Sequence, residues 1–281
     1  MLRRKELISI GIETIKITDA GYYELNGEII QLPKEDYSQV TLFTPKLLKF
    51  VSNAISAKLK NKKDLNNKPA YVVMNSDVLG TAKNYDNPLV LNFASATNPG
   101  GNFWSGIRNQ EESFCRNSTL YKSLCSEQAR VMYEYNRNNR ELAGYSYYML
   151  LSKNVCVFRN SSCKLLKKPY LVSIITIPAL DRNNFISETQ STEIVILEKN
   201  RIRNLFNIAI LHGYKTLILG TSNNSMFEHL TQDFVKYFNE ILQNEGYEKH
   251  FENIIFLVKK EGEKNEVFKN TFLQKQITVL T

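Results

Sequence analysis

The sequence is poor in the residues that build metal centres, disulfide frameworks and membrane spans. Its 281 residues include three histidines and four cysteines, with no CxxC pair and no histidines at metal-ligand spacing. No run of about 18 apolar residues occurs, as a membrane-spanning helix would need. Charges interrupt the first 17 residues, which argues against a signal peptide. We therefore expect reduced cysteines, no bound metal, no membrane partner and a cytoplasmic location.

Several common catalytic motifs are also missing from the sequence. It has no GxxxxGK[ST] phosphate loop, no GxGxxG, no GxSxG, no HExxH and no EF-hand pattern. Hydrolysis of nucleoside triphosphates is therefore disfavoured. The formal net charge of +8 favours anionic partners such as nucleic acid or polymers that carry phosphates, although surplus lysine more often forms a solvated surface.

The hydrophobic and charged fractions, 43% and 23%, are those of an ordinary globular protein. Residues 69–281 predict one compact α/β domain with helices on both faces of a mainly parallel or mixed sheet. Residues 1–68 predict an accessory extension: a helix that ends at Gly21, a hairpin with a type I′ turn at Asn26-Gly27, and a helix after Thr44. The predicted strands after residue 68 are Tyr71–Met74, Leu89–Phe93, Tyr148–Leu151, Leu171–Ile177, Thr216–Leu219 and Ile254–Val258, and the clearest helices are Ile194–Leu211 and Met226–Leu242.

The chemistry is predicted to lie in residues 90–112, VLNFASATNPGGNFWSGIRNQEE. An apolar strand leads into a loop of small residues, where glycine lets backbone N–H groups approach an anion closely. Glu111 and Glu112 follow at a predicted helix start, and two adjacent carboxyl groups disfavour each other's ionisation. This order predicts a site for a phosphorylated sugar and acid chemistry. A glutamate pair at a helix start also has a purely structural interpretation, stabilisation of the helix dipole.

These residues resemble a known family. LNFASATNPGG, the following QEE and the segment FCRNSTLY (residues 114–121) resemble the signature of the microbial-type poly(ADP-ribose) glycohydrolases, a branch of the macrodomain fold. Residues 151–159 resemble that family's SPNVPVFR element, and residues 172–179 and 12–22 resemble its next strand and its amino-terminal segment. The resemblance implies a macrodomain-like three-layer α/β/α fold with a mixed central sheet and an N-terminal helical and hairpin extension.

The resemblance also implies roles for individual residues. Glu112 would be the catalytic acid and then the general base, and Glu111 would hold ribose hydroxyls. No metal or cofactor is needed for this mechanism. The remaining residues implied to bind ligand are Asn92 and Asn98 near the distal ribose, Gly100, Gly101 and Asn102 around the diphosphate, Gln110 beside the acids, Gly220, Ser222, Asn223, Asn224 and Ser225 in a second phosphate loop, and Phe227 against the adenosine. Asparagine and glycine also occur in ordinary turns, and a phenylalanine on an apolar helix face more often belongs to the core.

Two loops depart from the family pattern. The family's three consecutive glycines are replaced by Gly100-Gly101-Asn102, and its GAWGCGVF loop reads GTSNNSMF at residues 220–227. Asparagine tolerates positive φ better than most residues, so the loop shape is compatible with these changes. Three activities remain open: hydrolysis of poly(ADP-ribose), hydrolysis of single ADP-ribosyl groups, and binding of ADP-ribose without cleavage. The expected partner is ADP-ribose or an ADP-ribosylated protein or nucleic acid, and a monomer is favoured.

Overall fold

A computed structural model describes residues 2–61, 67–139, 147–178, 188–220, 231–258 and 263–273. Its helices are α1 (Arg4–Ala20), α2 (Pro45–Asn61), α3 (Val78–Ala82), α4 (Gln110–Asn117), α5 (Leu120–Leu124), α6 (Glu127–Asn138), α7 (Glu188–Leu211), α8 (Thr231–Asn239) and α9 (Glu263–Phe272). Its strands are β1 (Tyr22–Leu25), β2 (Glu28–Gln31), β3 (Thr41–Phe43), β4 (Ala70–Met74), β5 (Pro88–Ala94), β6 (Met149–Arg159), β7 (Leu165–Pro178), β8 (Thr216–Gly220) and β9 (Asn253–Leu257).

The amino-terminal elements confirm two local predictions. Helix α1 ends at Gly21, whose φ of 78° is the left-handed conformation that glycine adopts without a steric penalty. Asn26 and Gly27 have φ values of 55° and 81°, and Leu25 pairs with Glu28 across the turn. Positive φ at both central residues is the requirement of a type I′ turn, so the hairpin β1–β2 forms as predicted.

The main sheet has seven strands in the order β3-β6-β7-β5-β8-β9-β4. Strand β5 lies in its centre, parallel to β7 on one side and to β8 on the other. The β8–β9 and β4–β9 pairs are also parallel, whereas β6 runs antiparallel to both β3 and β7. The sheet is therefore mixed, as predicted. Because β5 and β8 are parallel neighbours, their carboxyl ends lie at the same edge of the sheet.

Helices cover both faces of this sheet. Alternate residues of β5 point to opposite faces: Leu89 and Leu91 belong to one core, and Val90 to the other. The first core contains side chains of α2, α7, α8 and α9, and the second those of α3, α4, α5 and α6. This is the predicted three-layer arrangement. All four cysteines are free thiols.

Some elements differ from their predicted bounds. The strand expected at Tyr148–Leu151 continues to Arg159 as β6, since Val155–Arg159 is buried and pairs with β7 across register shifts. Helix α7 begins at Glu188, six residues before the predicted start. The described part of the helix predicted over Met226–Leu242 runs from Thr231 to Asn239 and continues as a π-helical turn to Asn244.

Five elements, β3, α3, α5, α6 and α9, are not predicted by the sequence patterns. Strand β3 has only three residues, too few to show alternation, and it pairs with the edge of β6 in the main sheet. Helix α2 packs against α7. Residues before 69 thus contribute to the main sheet and to one helical layer, and the division into an extension and a catalytic domain at residue 68 stays a prediction.

Candidate active site

The site begins on β5, a strand that is buried along most of its length. The Asn92 side chain is fully buried, and its Nδ2 donates to Thr176 Oγ1 of β7 at 3.2 Å. Its Oδ1 accepts no hydrogen bond from any residue in the described segments. A buried amide oxygen without a donor is unfavourable, so Asn92 could accept a hydrogen bond from a bound molecule.

Residues 95–102, called here the site loop, connect β5 to the turn before α4. Ser95 Oγ accepts the backbone N–H of Asn98 at 3.0 Å, and the carbonyl of Asn98 accepts the N–H of Gly101 at 3.0 Å. Gly100 and Gly101 have φ values of 69° and 59°, in the left-handed region where other residues are strained. The two glycines therefore allow the chain to fold back towards α4.

Glu111, in the first turn of α4, is held by this loop. Its two carboxylate oxygens accept the backbone N–H groups of Ser95 at 2.7 Å and of Gly100 at 3.1 Å. Only 3% of the residue is exposed. Burial raises the pKa of Glu111 to about 8; the charge of Glu112 also raises it, and the two backbone donors oppose the shift. Burial, with a smaller contribution from the neighbouring acid, therefore keeps a proton on Glu111 at neutral pH.

Glu112 lies against the same loop. Its Oε1 accepts the backbone N–H of Asn102 at 3.1 Å, and 5% of the residue is exposed. A Cβ atom at Gly101 would stand 2.6 Å from Glu112 Oε1 and 3.2 Å from Glu111 Oε2. Both carboxylates thus approach one glycine, and a side chain there would collide with them. The helix N-terminus of α4 adds a favourable dipole for the two acids.

Gln110 connects this arrangement to β8. Its Nε2 donates to the Leu91 carbonyl at 3.2 Å, and its Oε1 accepts the Phe93 N–H at 3.4 Å. A Cβ atom at Gly220, the last residue of β8, would lie 2.8 Å from Gln110 Nε2. The structure therefore brings Gln110, Gly220 and the two acids to one edge of the sheet.

The other candidates lie on the rim or outside the described segments. Asn98 and Asn102 are exposed, and Asn102 contacts Glu112 through its backbone N–H. With a φ of −112°, Asn102 has a backbone conformation that does not require glycine. Ser222, Asn223, Asn224, Ser225 and Phe227 fall outside the described residues.

Two residues of α6 also hold the site loop, and sequence reasoning missed both. Asn136 Nδ2 donates to the Ala96 carbonyl at 2.9 Å, and Arg137 Nη1 donates to the Thr97 carbonyl at 2.7 Å. These partners lie 40 positions apart in the chain, and no periodicity relates them. The available sequence signal was the position of Asn136, which continues the helical spacing of Ala129, Met132 and Tyr133.

Neither a metal centre nor a membrane helix is found in the part of the chain that the structure describes. Its His, Cys, Asp and Glu residues form no group of three or more that could hold a metal ion. None of its helices is both long and apolar enough to cross a bilayer.

A three-layer mixed α/β fold and two buried carboxyl groups against a glycine loop define a macrodomain-like hydrolase of the glycosidase type. Residues 12–160, more than half of the chain, match the family model described as microbial-type PARG, catalytic domain. The chain belongs to this microbial-type poly(ADP-ribose) glycohydrolase family.

Solved structures agree with this assignment. The poly(ADP-ribose) glycohydrolase of Thermomonospora curvata is 26% identical, with a TM-score of 0.85 over 96% of this chain and 100% of its own. The same enzyme bound to the inhibitor ADP-HPD has a TM-score of 0.81 at 26% identity, covering 95% and 99%. The Deinococcus radiodurans enzyme in complex with ADP-ribose is 27% identical, with a TM-score of 0.76 over 88% of this chain and 99% of its own. Among curated proteins, none matches the sequence.

Proposed function

We propose that the protein hydrolyses ribosyl linkages of poly(ADP-ribose) or of ADP-ribosylated acceptors, with Glu111 and Glu112 as its acid/base residues. The observation that carries the proposal is the pair of buried carboxyl groups, both bonded to backbone N–H groups of one glycine loop. Family membership and the ADP-ribose complex of the Deinococcus radiodurans enzyme support ADP-ribose as the ligand.

The two acids are assigned different roles. Cleavage of a ribosyl bond passes through an oxocarbenium-like state, which requires a proton for the leaving oxygen and a base for the attacking water. Glu112 would donate that proton and then accept one from water. Glu111, whose oxygens are fixed by Ser95 and Gly100, would orient ribose hydroxyls. Because burial raises the pKa of Glu111 to about 8, Glu111 itself carries a proton at neutral pH and could donate a hydrogen bond to a ribose hydroxyl.

The remaining candidates complete the proposed binding site. The buried Oδ1 of Asn92 would accept a hydrogen bond from a ribose hydroxyl, and Gln110, fixed by Leu91 and Phe93 of β5, would shape the site beside the two acids. The site loop would lie around the diphosphate, with the N–H groups of Ser95, Gly100 and Asn102 engaged by the two acids. The residues assigned to these contacts are Asn98, Gly100, Gly101, Asn102, Gly220, Ser222, Asn223, Asn224, Ser225 and, for stacking, Phe227.

The decisive variant is Glu112→Gln, which keeps the size of the side chain and removes its acid. We expect release of ADP-ribose from poly(ADP-ribose) and from a mono-ADP-ribosylated protein to slow by about 100-fold or more, the usual contribution of a general acid. Binding of free ADP-ribose, measured by calorimetry, should persist. The exposed Glu28→Gln in the hairpin is the matched control.

Two results would contradict the proposal. If the wild-type protein binds ADP-ribose but releases none from either substrate, it is a binding module. If it does not bind ADP-ribose at all, the assignment of the ligand site is wrong.

A narrower substrate range is the second candidate, and the exposed side chain of Asn102 favours it. This side chain stands at the rim where the family pattern has glycine. If it restricts entry of the polymer, Asn102→Gly should raise the rate on poly(ADP-ribose) relative to the rate on a mono-ADP-ribosylated protein. An unchanged ratio of the two rates would eliminate this restriction.

A further inference from the structure

A cavity of about 320 Å³, called here the α6 cavity, lies between α6 and the site loop. Arg130, Tyr133, Glu134 and Arg137 line it from α6. Their spacing of three and four residues places them on one face of the helix. Pro99 of the site loop also lines the cavity, and the next residue, Gly100, bonds Glu111. Its size is at the lower end of the range for small-molecule sites, about 300–1,000 Å³.

Tyr133, in the wall of this cavity, has a hydroxyl group whose hydrogen-bonding capacity is not satisfied. The residue is fully buried, and its hydroxyl has no hydrogen-bond partner among the described residues. Burial raises the pKa of this phenol well above its ordinary value, so the hydroxyl remains a neutral donor at physiological pH. An occupant of the cavity that accepts a hydrogen bond would satisfy it.

The charges around the cavity favour an anion. Two guanidinium groups, those of Arg130 and Arg137, outweigh the single carboxylate of Glu134. Arg137 uses Nη1 on the Thr97 carbonyl, and a guanidinium has further N–H donors. Ser126, the N-cap of α6, also lines the cavity and brings the positive end of the helix dipole there. Planar guanidinium donors suit phosphate oxygens particularly well.

We propose that the α6 cavity binds the diphosphate of the poly(ADP-ribose) unit next to the one whose bond is cleaved. The inference rests on the proposed function, because a neighbouring unit exists only in the polymer. That unit is the leaving group, so it must lie beside the acid that protonates its oxygen. The site loop contacts both acids and contributes Pro99 to the cavity, so one loop separates the arginine-lined cavity from the acids.

The experiment uses the whole chain and two probes. Inorganic pyrophosphate is titrated into protein saturated with ADP-ribose, so that the site at the glutamates is occupied, and KM is measured with poly(ADP-ribose). In Arg130→Gln we expect pyrophosphate to bind at least about fivefold more weakly, the effect of one charge-assisted contact. The ratio of the KM for poly(ADP-ribose) to the Kd of free ADP-ribose should rise by a similar factor. Arg130→Lys should restore part of the lost affinity for pyrophosphate and for the polymer.

The control variant is Lys49→Gln, which removes one positive charge from the exposed side of α2, a helix that packs on the opposite face of the sheet. It should behave as the wild type in both measurements. Equal pyrophosphate affinity in Arg130→Gln and wild type would overturn the proposal. The proposal would also be overturned if Arg130→Gln lost affinity for single-stranded DNA but kept its affinity for pyrophosphate and for the polymer. The cavity would then recognise nucleic acid.

Failure of the proposed function would give a different result. A protein that binds no ADP-ribose would have no site for the terminal unit. Pyrophosphate binding that depends on Arg130 would then identify an anion site unconnected with polymer cleavage.

Discussion

Single residues set the geometry of the carboxyl pair. Glu111 and Glu112 are consecutive, yet their carboxyl groups bond different backbone N–H groups of the site loop. Gly101 lies close to both. Its missing side chain leaves the space that the two carboxyl groups occupy, and its positive φ turns the loop over them. The spacing of the two acids therefore depends on a residue that has no functional group of its own.

Gly101→Ala, compared with a control glycine, should separate the effect of the missing side chain from that of the positive φ. A Cβ atom there meets Glu112 Oε1 at 2.6 Å, and alanine at a φ of 59° is strained by about 1–2 kcal/mol. Because a displaced catalytic group loses about 100-fold in rate for roughly 1 Å, we expect kcat/KM to fall by at least about tenfold. The control is Gly213→Ala, whose φ is 75° and whose Cβ would meet nothing within 4 Å. Equal activity losses in the two variants would refute the steric explanation.

Among the elements, α6 supports the site loop from outside. Its residues Asn136 and Arg137 bond two consecutive loop carbonyls, those of Ala96 and Thr97. Asn136 is fully buried, whereas Arg137 is exposed. Helix α6 therefore holds carbonyl groups of the site loop, while Glu111 of α4 holds two of its N–H groups.

Asn136→Ala tests whether α6 positions the loop. Loss of a buried hydrogen bond should lower the free energy of unfolding by about 1–3 kcal/mol. If the loop also shifts, the affinity for ADP-ribose and kcat/KM should both decrease. Chemical denaturation and steady-state kinetics provide the two readouts, and the exposed Asn138→Ala on the same helix is the control. A less stable protein with unchanged kinetics would show that α6 is only a structural support.

In the whole molecule, the carboxyl pair lies where the sheet and one helical layer meet. Glu111 and Glu112 are more than nine-tenths buried, and α4 packs into the same core as α3, α5 and α6. Burial of an ionisable group links the proton affinity of the site to the stability of the fold.

The raised pKa of Glu111 predicts that this residue makes the protein less stable as the pH rises. Its pKa increases from 4.5 in the unfolded chain to about 8 in the folded protein. Between these values the folded protein keeps a proton that the unfolded chain has released. Its contribution to the free energy of unfolding therefore falls with rising pH through this window, by at most about 1.4 kcal/mol per pH unit, and levels off above it.

The measurement is urea denaturation from pH 5 to pH 8.5 of the wild type and Glu111→Gln. The stability of the variant relative to wild type should increase with pH, whatever its absolute value, because glutamine does not ionise. The exposed Glu28→Gln should show no such trend. A constant difference between Glu111→Gln and wild type would mean that Glu111 is ionised throughout this range in the folded protein.

Much of the fold and part of the site follow from local patterns. The apolar runs predicted six strands of the main sheet, and the strand, glycine loop and acidic helix start appear in the predicted order. The bounds of β6 and α7 were wrong, and β3, α3, α5, α6 and α9 were missed. Pairing across a sheet decides where β6 ends and whether three residues form β3, and such pairing depends on distant segments.

The sequence alone determined the features that depend on neighbouring residues. Asn26-Gly27 specifies its turn and Gly100-Gly101 its reversal, because backbone sterics act within a few residues. Only the tertiary structure decided that Asn136 and Arg137 hold the site loop, that Gly220 meets Gln110, and that a cavity with two arginines adjoins Pro99. These contacts join residues 31 to 110 positions apart, and packing between layers, rather than any local pattern, brings them together.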